Sequence, residues 1–91
     1  MTLTKKTKLC IVGLGYVGLP LLVEFSKKYD VTGFDLSISR IKNLNNSLDE
    51  TLEITSSQLR RLNAILSSAE SSLVNQDIYI VTVPTPIDKK N

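Results

Sequence analysis

Apolar residues follow two different periodicities along this chain. Residues 9–12, 31–35 and 78–83 are short, largely apolar and β-branched runs, which are typical of strands buried in a parallel sheet. Between the first two runs, the apolar side chains recur at helical spacing, at Val17, Leu21, Leu22, Phe25 and Tyr29. The pattern therefore predicts a strand, a helix over residues 16–29 and a second strand in the first part of the chain.

The ends of this first helix carry residues that suit a helix. Pro20 falls in the predicted first turn, where its missing N–H costs little. Lys27 and Lys28 fall in the predicted last turn, where positive charge interacts favourably with the helix dipole.

The rest of the chain continues to alternate between helical and extended segments. Ser37 is a candidate N-cap for a second helix, and Thr55 with Gln58 has the spacing of a capping box. Residues 69–75 predict a short helix, whereas residues 65–67 fit either a helix end or a short edge strand. This alternation predicts an α/β fold in which right-handed crossovers connect the strands of a parallel sheet.

A glycine-rich loop joins the first predicted strand to the first predicted helix. Gly13, Gly15 and Gly18 have the spacing G-x-G-x-x-G between a strand and a helix, which is the context that a dinucleotide-binding loop requires. The first glycine permits a tight turn, the second lets a pyrophosphate approach the backbone, and the third lets the helix pack close to the sheet. The backbone N–H groups and the positive end of the helix would then face the phosphates. A plain glycine-rich turn is the simpler alternative.

An acidic residue at the end of the second predicted strand completes this pattern. Asp35 lies 22 positions after Gly13, near the ~20 at which a ribose-binding acid is expected. A carboxylate accepts hydrogen bonds from ribose hydroxyls and repels a 2′-phosphate, so Asp35 favours NAD over NADP; a strand-end residue or a helix cap is the alternative. Arg40 would reach the adenosine side of the pocket, unless it is a solvated helix residue. Together these features predict a Rossmann-type doubly wound parallel sheet, truncated to about four strands.

Composition and charge exclude several other classes of protein. The 91 residues have a formal net charge of +2, but the lysines of residues 1–8 and 89–91 supply this charge and residues 9–88 are net acidic. An acidic body with few aromatic residues argues against nucleic-acid binding. No apolar run reaches the ~18 residues of a membrane span, and no secretory signal is expected. A single cysteine, Cys10, and the lack of histidine exclude a structural zinc site and predict a reducing, cytoplasmic location.

Three stretches of the chain resemble the UDP-glucose/GDP-mannose dehydrogenase family. Residues 8–20, KLCIVGLGYVGLP, are similar to the family's first strand and glycine loop. Residues 31–35, followed by Arg40, are similar to its second strand and helix, and residues 81–86, VTVPTP, resemble its loop beside the NAD site. Within the family, the second strand, the Thr-Leu-Glu within residues 49–55 and the TVPTP of residues 82–86 are together most similar to the UDP-N-acetylhexosamine 6-dehydrogenases of bacterial surface-polysaccharide pathways.

This resemblance implies an NAD-dependent oxidation of a sugar C6 alcohol to a carboxylate, in two hydride transfers. By position, the residues that would line the pyrophosphate are Gly13, Gly15, Tyr16, Val17 and Gly18. Asp35 would hold the ribose and Arg40 the adenosine edge. Thr85 would contact the cofactor near the end of the fourth strand, since ligands of open α/β sheets lie beyond the carboxyl ends of the strands.

The resemblance also implies that the catalytic machinery lies elsewhere. The family's catalytic cysteine belongs to a motif far downstream, and its lysine and asparagine partners and the sugar-binding domain also lie outside this sequence. Residues 1–91 are expected to be the N-terminal part of an NAD-binding domain, with disordered tails at 1–7 and 89–91 and with no catalytic residue. A UDP-sugar would be bound only through the missing domains. A sheet truncated after its fourth strand predicts marginal stability or self-association through the exposed edge.

Two other functions would share the glycine loop and the ribose-binding acid. One is a non-enzymatic, NAD-sensing regulatory module like those of ion transporters, which has no reason to carry the Pro-Thr-Pro of residues 84–86. The other is the NAD half of a different dehydrogenase family, such as the hydroxyacid or phosphogluconate enzymes. The Tyr-Val-Gly-Leu-Pro of residues 16–20 argues against this second alternative.

Overall fold

Four parallel strands form the centre of the molecule in the computed structural model, which describes residues 3–4 and 6–82. The spatial order of the strands is β3-β2-β1-β4, and each neighbouring pair is parallel. The chain builds the sheet outward from β1 to β3 and then returns to the other side of β1, which is the connectivity of a doubly wound fold. The predicted α/β sheet is therefore confirmed. The strands are β1 (Lys8–Val12), β2 (Asp30–Phe34), β3 (Ile65–Ser67) and β4 (Ile78–Val81).

Three α-helices and one 3₁₀ helix connect these strands. The predicted caps of two helices are confirmed, since the Ser37 hydroxyl accepts the N–H of Arg40 at 3.1 Å and Thr55 forms a reciprocal capping box with Gln58. None of the helices in the described part of the chain is long and apolar enough to cross a membrane. The helices are α1 (Gly18–Ser26), α2 (Ile38–Asn45), α3 (Ser56–Arg60) and the 3₁₀ helix Glu70–Leu73.

Helix α1 is shorter than its apolar periodicity predicts. It begins at Gly18, because the preceding residues form the glycine loop, and it ends at Ser26. Beyond that point the N–H of Lys28 donates to the carbonyl of Phe25 at 3.0 Å, so the chain tightens into a turn toward β2. The prediction that Lys27 and Lys28 lie in the last helical turn is wrong, since Lys27 is the C-cap and Lys28 follows it.

The segment before β4 is less helical than predicted. Residues 65–67, which the sequence left ambiguous, form the edge strand β3, with Leu66 opposite Gly33 of β2. Within residues 69–75, only Glu70–Leu73 is helical, as a single 3₁₀ turn. Val74 is extended and Asn75 has a positive φ of 62°, so the helix cannot continue through them.

The core lies on one face of the sheet. Apolar residues of β1 and β2 pack there with residues from all three α-helices; the buried members are Leu9, Ile11, Leu14, Leu19, Leu22, Val31, Ile41, Leu44 and Leu59. In β4, Ile78 and Ile80 pack against this core, whereas Tyr79 and Val81 are 47% and 63% exposed. Within the described residues, β4 therefore has one exposed apolar face as well as an unpaired outer edge.

A buried ion pair anchors the connection between α2 and α3. Asp49 is 4% exposed, and its carboxylate accepts a hydrogen bond from the guanidinium of Arg40 at 2.9 Å. It also accepts the backbone N–H groups of Thr51, Glu53 and Ile54, each at 2.9 Å. Burial raises the pKa of Asp49, but the hydrogen bonds from Thr51, Ile54 and Arg40 outweigh burial and lower that pKa to about 2.

We expect Asp49 to make the stability of the chain depend on pH in the acid range. Its pKa falls from an ordinary value of 3.8 to about 2 on folding, so the unfolded chain binds the proton more readily. The stabilisation is therefore fully present above about pH 4 and is lost as the pH falls toward 2; at neutral pH it amounts to about 2 kcal/mol.

Urea unfolding of the chain and of Asp49→Asn, from about pH 7 down to about pH 2.5, measures this contribution. The other carboxyl groups titrate in both chains, so the difference between the two unfolding free energies isolates Asp49. A difference that does not shrink as the pH falls would contradict the prediction.

Candidate functional site

A groove with a volume of about 760 Å³ lies at the carboxyl ends of the strands. Its walls come from the ends of β1 and β2, from the glycine loop, and from three segments that are distant in the sequence. In open α/β sheets ligands lie in this position, where the strand order reverses. The lining residues are Val12, Gly13, Leu14, Gly15, Tyr16, Val17, Gly18, Phe34, Asp35, Leu36, Thr51, Glu70, Leu73 and Thr82.

The glycine loop fits closely against the residue that follows β4. Gly13 has a φ of +98°, and a Cβ there would overlap the carbonyl oxygen of Thr82. A Cβ at Gly18 would overlap the carbonyl oxygen of Gly13 and the hydroxyl of Thr82. The Thr82 hydroxyl itself donates to the Gly13 carbonyl at 2.7 Å. These two glycines are therefore required by packing, in agreement with the tight turn and the close helix predicted from the sequence.

The second glycine faces open space instead. A Cβ at Gly15 would meet no atom within 4 Å among the described residues. The backbone N–H groups of Gly15, Tyr16, Val17 and Gly18 likewise find no acceptor within the described part of the chain. Free N–H groups at the start of a helix attract an anion, and the missing Cβ leaves room for one. This part of the loop fits the pyrophosphate of a dinucleotide.

Asp35 connects the end of β2 to the glycine loop. Its Oδ2 accepts the N–H of Leu14 at 2.9 Å, and its Oδ1 accepts the N–H of Ser37 at 2.9 Å. Each carboxylate oxygen can accept further hydrogen bonds, and the residue is only half-buried in the wall of the groove. Asp35 therefore has acceptor capacity left for ribose hydroxyls.

Arg40 lies inside the protein, which excludes the alternative of a solvated helix residue. It is 8% exposed, its Nε donates to the carbonyl of Leu14 at 2.7 Å, and its Nη1 donates to Asp49. Its Nη2 is buried and has no acceptor among residues 3–4 and 6–82. The guanidinium therefore supports the glycine loop directly and keeps one donor group free.

The structure brings together most of the residues predicted from the sequence. Gly13, Gly15, Gly18 and Asp35 line the groove, as do Tyr16 and Val17 with largely exposed side chains; Arg40 contacts the loop at Leu14. Thr85 lies outside the described residues, as does the tail 89–91, so those predictions stay predictions. Of the tail 1–7, the described residues include a turn in which the N–H of Thr7 donates to Thr4.

Several groove residues were not predicted from the sequence. The sequence predicts Thr82 as part of a strand and of the family-like residues 81–86, but it predicts no contact for this residue, although a residue just beyond a strand that neighbours β1 must lie beside the glycine loop. Thr51 lies in a stretch that resembles the family but predicts no site residue, and its position depends on the buried Asp49. Within the described residues, no group of three or more histidine, cysteine, aspartate or glutamate side chains is arranged to hold a metal ion.

Known proteins are similar to this chain in sequence and in architecture. The chain is 48% identical over 83 residues to Protein CapL of Staphylococcus aureus, a match covering 91% of the chain. It is 45% identical over 86 residues to a UDP-N-acetyl-D-glucosamine 6-dehydrogenase of Pseudomonas aeruginosa, a match covering 93% of the chain. Each match covers 20% of the relative, so the chain spans about a fifth of the length of these curated relatives.

A solved structure extends the similarity to three dimensions. The UDP-D-ManNAc dehydrogenase of Pyrococcus horikoshii matches with a TM-score of 0.82 and 26% sequence identity, over 90% of this chain and 21% of that chain. Residues 7–91 also match the NAD-binding domain of the UDP-glucose/GDP-mannose dehydrogenase family. Because this match spans nearly the entire sequence and includes the glycine loop and Asp35, the chain belongs to the UDP-glucose/GDP-mannose dehydrogenase family and lies in its NAD-binding domain.

Proposed function

We propose that this chain supplies the adenosine and pyrophosphate part of the NAD site in a nucleotide-sugar 6-dehydrogenase. The observation that carries the proposal is the glycine loop, where four backbone N–H groups lack acceptors within the described residues beside the open space at Gly15. The pyrophosphate would bind there, the ribose hydroxyls at Asp35 and the adenosine edge near Arg40. Thr85 would contact the cofactor beyond the end of β4.

The substrate of the whole protein would be a UDP-N-acetylhexosamine. Two of the relatives are named UDP-N-acetyl-D-glucosamine 6-dehydrogenase. They support this substrate class, and they favour an enzyme over an NAD-sensing module. Oxidation of the C6 alcohol to a carboxylate removes four electrons and so uses two NAD; when bound, NAD supplies the acceptor for each hydride. We also propose a cytoplasmic location, which agrees with the free, buried thiol of Cys10.

Changing Asp35 to Asn should weaken NAD binding about tenfold, because the ribose hydroxyls lose a charged acceptor. Isothermal titration of the chain with NAD measures the dissociation constant. The matched control is Asp77→Asn, since Asp77 accepts a backbone N–H from Lys8 at 2.8 Å at the opposite end of β1. An unchanged affinity in Asp35→Asn would contradict the assignment.

Asp35 also holds the Leu14 N–H, so a second variant separates ligand contact from loop support. Gly15→Ala adds a methyl group where the described residues leave space. We expect it to fold with unchanged stability and to lose NAD affinity, because the methyl group would occupy the pyrophosphate space.

The 91-residue chain should show no dehydrogenase activity of its own. Cys10 is fully buried, and burial raises the pKa of its thiol, so it is unsuited to act as the nucleophile. Absorbance at the NADH wavelength, with UDP-N-acetylglucosamine and UDP-glucose as substrates, measures turnover. A protein extended to the length of its relatives is the positive control, and NADH formation by the short chain would overturn the prediction.

The isolated chain should self-associate through the outer edge of β4, which is unpaired among the described residues. An edge strand presents unpaired backbone groups, and here Val81 adds an exposed apolar side chain. We expect Val81→Lys to shift sedimentation toward the monomer, because a charged edge opposes strand pairing. Ile38→Lys is the matched control and should leave association unchanged, because Ile38 is at least as exposed but lies on α2, outside the sheet. A monomeric unsubstituted chain would contradict this proposal.

A further inference from the structure

The backbone of Leu14, in the glycine loop, is held by two side chains, one at its N–H and one at its carbonyl. Its N–H donates to Asp35 Oδ2 at 2.9 Å, and its carbonyl accepts Arg40 Nε at 2.7 Å. The Leu14 side chain is fully buried in the core. The backbone that leads into the open Gly15 space therefore has a defined position before any ligand binds.

The bond from Arg40 to this peptide depends on a second residue. Arg40 is buried, and its Nη1 is 2.9 Å from Asp49 Oδ1 but 3.9 Å from the half-exposed carboxylate of Glu50. Asp49 is thus the carboxylate that balances the buried guanidinium. Without it, Arg40 would carry an uncompensated buried charge and would move toward solvent or toward Glu50.

The same carboxylate also determines one wall of the groove. It accepts both the N–H and the hydroxyl of Thr51, at 2.9 Å and 2.6 Å, and Thr51 is one of the residues that line the groove. Asp49 itself is not among the groove residues. It is therefore connected to two of the lining residues, to Thr51 directly and to Leu14 through Arg40.

We propose that Asp49 is a positioning residue for NAD, which acts through Arg40 on the Leu14 carbonyl and so sets the geometry of the pyrophosphate-binding loop. This inference rests on the proposed function, because it requires that NAD binds at the glycine loop. The low pKa of Asp49 is consistent with it, since the carboxylate remains charged opposite Arg40 throughout the neutral range.

The experiment compares NAD affinity in four variants of the chain: Asp49→Asn, Arg40→Lys, the double variant, and Asp77→Asn as the matched control. We expect Asp49→Asn to weaken NAD binding about tenfold and Asp77→Asn to leave it unchanged. Because Asp49 acts through Arg40, the double variant should bind NAD no more weakly than Arg40→Lys alone. Independent, multiplying effects, or an unchanged affinity in folded Asp49→Asn, would overturn the proposal.

Nuclear magnetic resonance without NAD supplies a readout that a general loss of stability would not move. In Asp49→Asn the Leu14 amide and Arg40 Nε–H signals should shift, whereas in Asp77→Asn they should stay in place. If Asp49→Asn does not fold, Asp49→Glu replaces it: the charge is kept but displaced by one methylene, so the same two signals must shift.

The unsubstituted chain tests the proposal without any variant. The Arg40 Nε–H must exchange slowly with solvent, because it is buried and bonded to Leu14, and rapid exchange would overturn the inference. If the unsubstituted chain shows slow exchange but binds no NAD, the proposed function fails. If it binds NAD and Asp49→Asn binds equally well, only the role of Asp49 fails.

Discussion

The close approach of three backbone segments around Gly13 is the constraint on which the rest of the site depends. The end of β1, the start of α1 and Thr82 after β4 meet so closely that a Cβ at Gly13 or Gly18 has no room. Thr82 closes this junction by donating its N–H to Val12 and its hydroxyl to Gly13, both at 2.7 Å. Because α1 starts directly against the sheet, the N–H groups of residues 15–18, which lead into it, remain at the groove without acceptors among the described residues. Close packing and anion binding thus have the same structural origin.

A buried pair of charges connects this junction to the rest of the chain. Buried ion pairs contribute little net stability compared with apolar packing, but removing one partner is costly because the other charge stays buried. Arg40 and Asp49 therefore depend on each other, and each restricts the position of the other. Through them, a loop near the start of the chain is held by a helix 26 positions later and by a turn beyond that helix.

The sequence could predict those features that depend on near neighbours. The caps at Ser37 and Thr55 form between residues three positions apart, so their spacing alone identifies them. The length of α1 could not be read in this way, because the apolar periodicity extends to Val17, which is largely exposed in the glycine loop, and to Tyr29, which packs against the core without being helical. Similarly, residues 69–75 are helical only in part, since the backbone turns at Asn75 to enter β4.

The amino-acid sequence by itself determined the class of the fold, the glycine spacing and the acid at the end of β2, because each depends on spacing along the chain. The sequence motifs were also specific enough to identify the family. Only the tertiary structure decided that Arg40 lies inside the protein, that Asp49 balances its charge, and that Thr82 closes the glycine loop. These contacts join residues 9 to 69 positions apart, and a periodic pattern shows which face a residue occupies but not which distant residue it meets there.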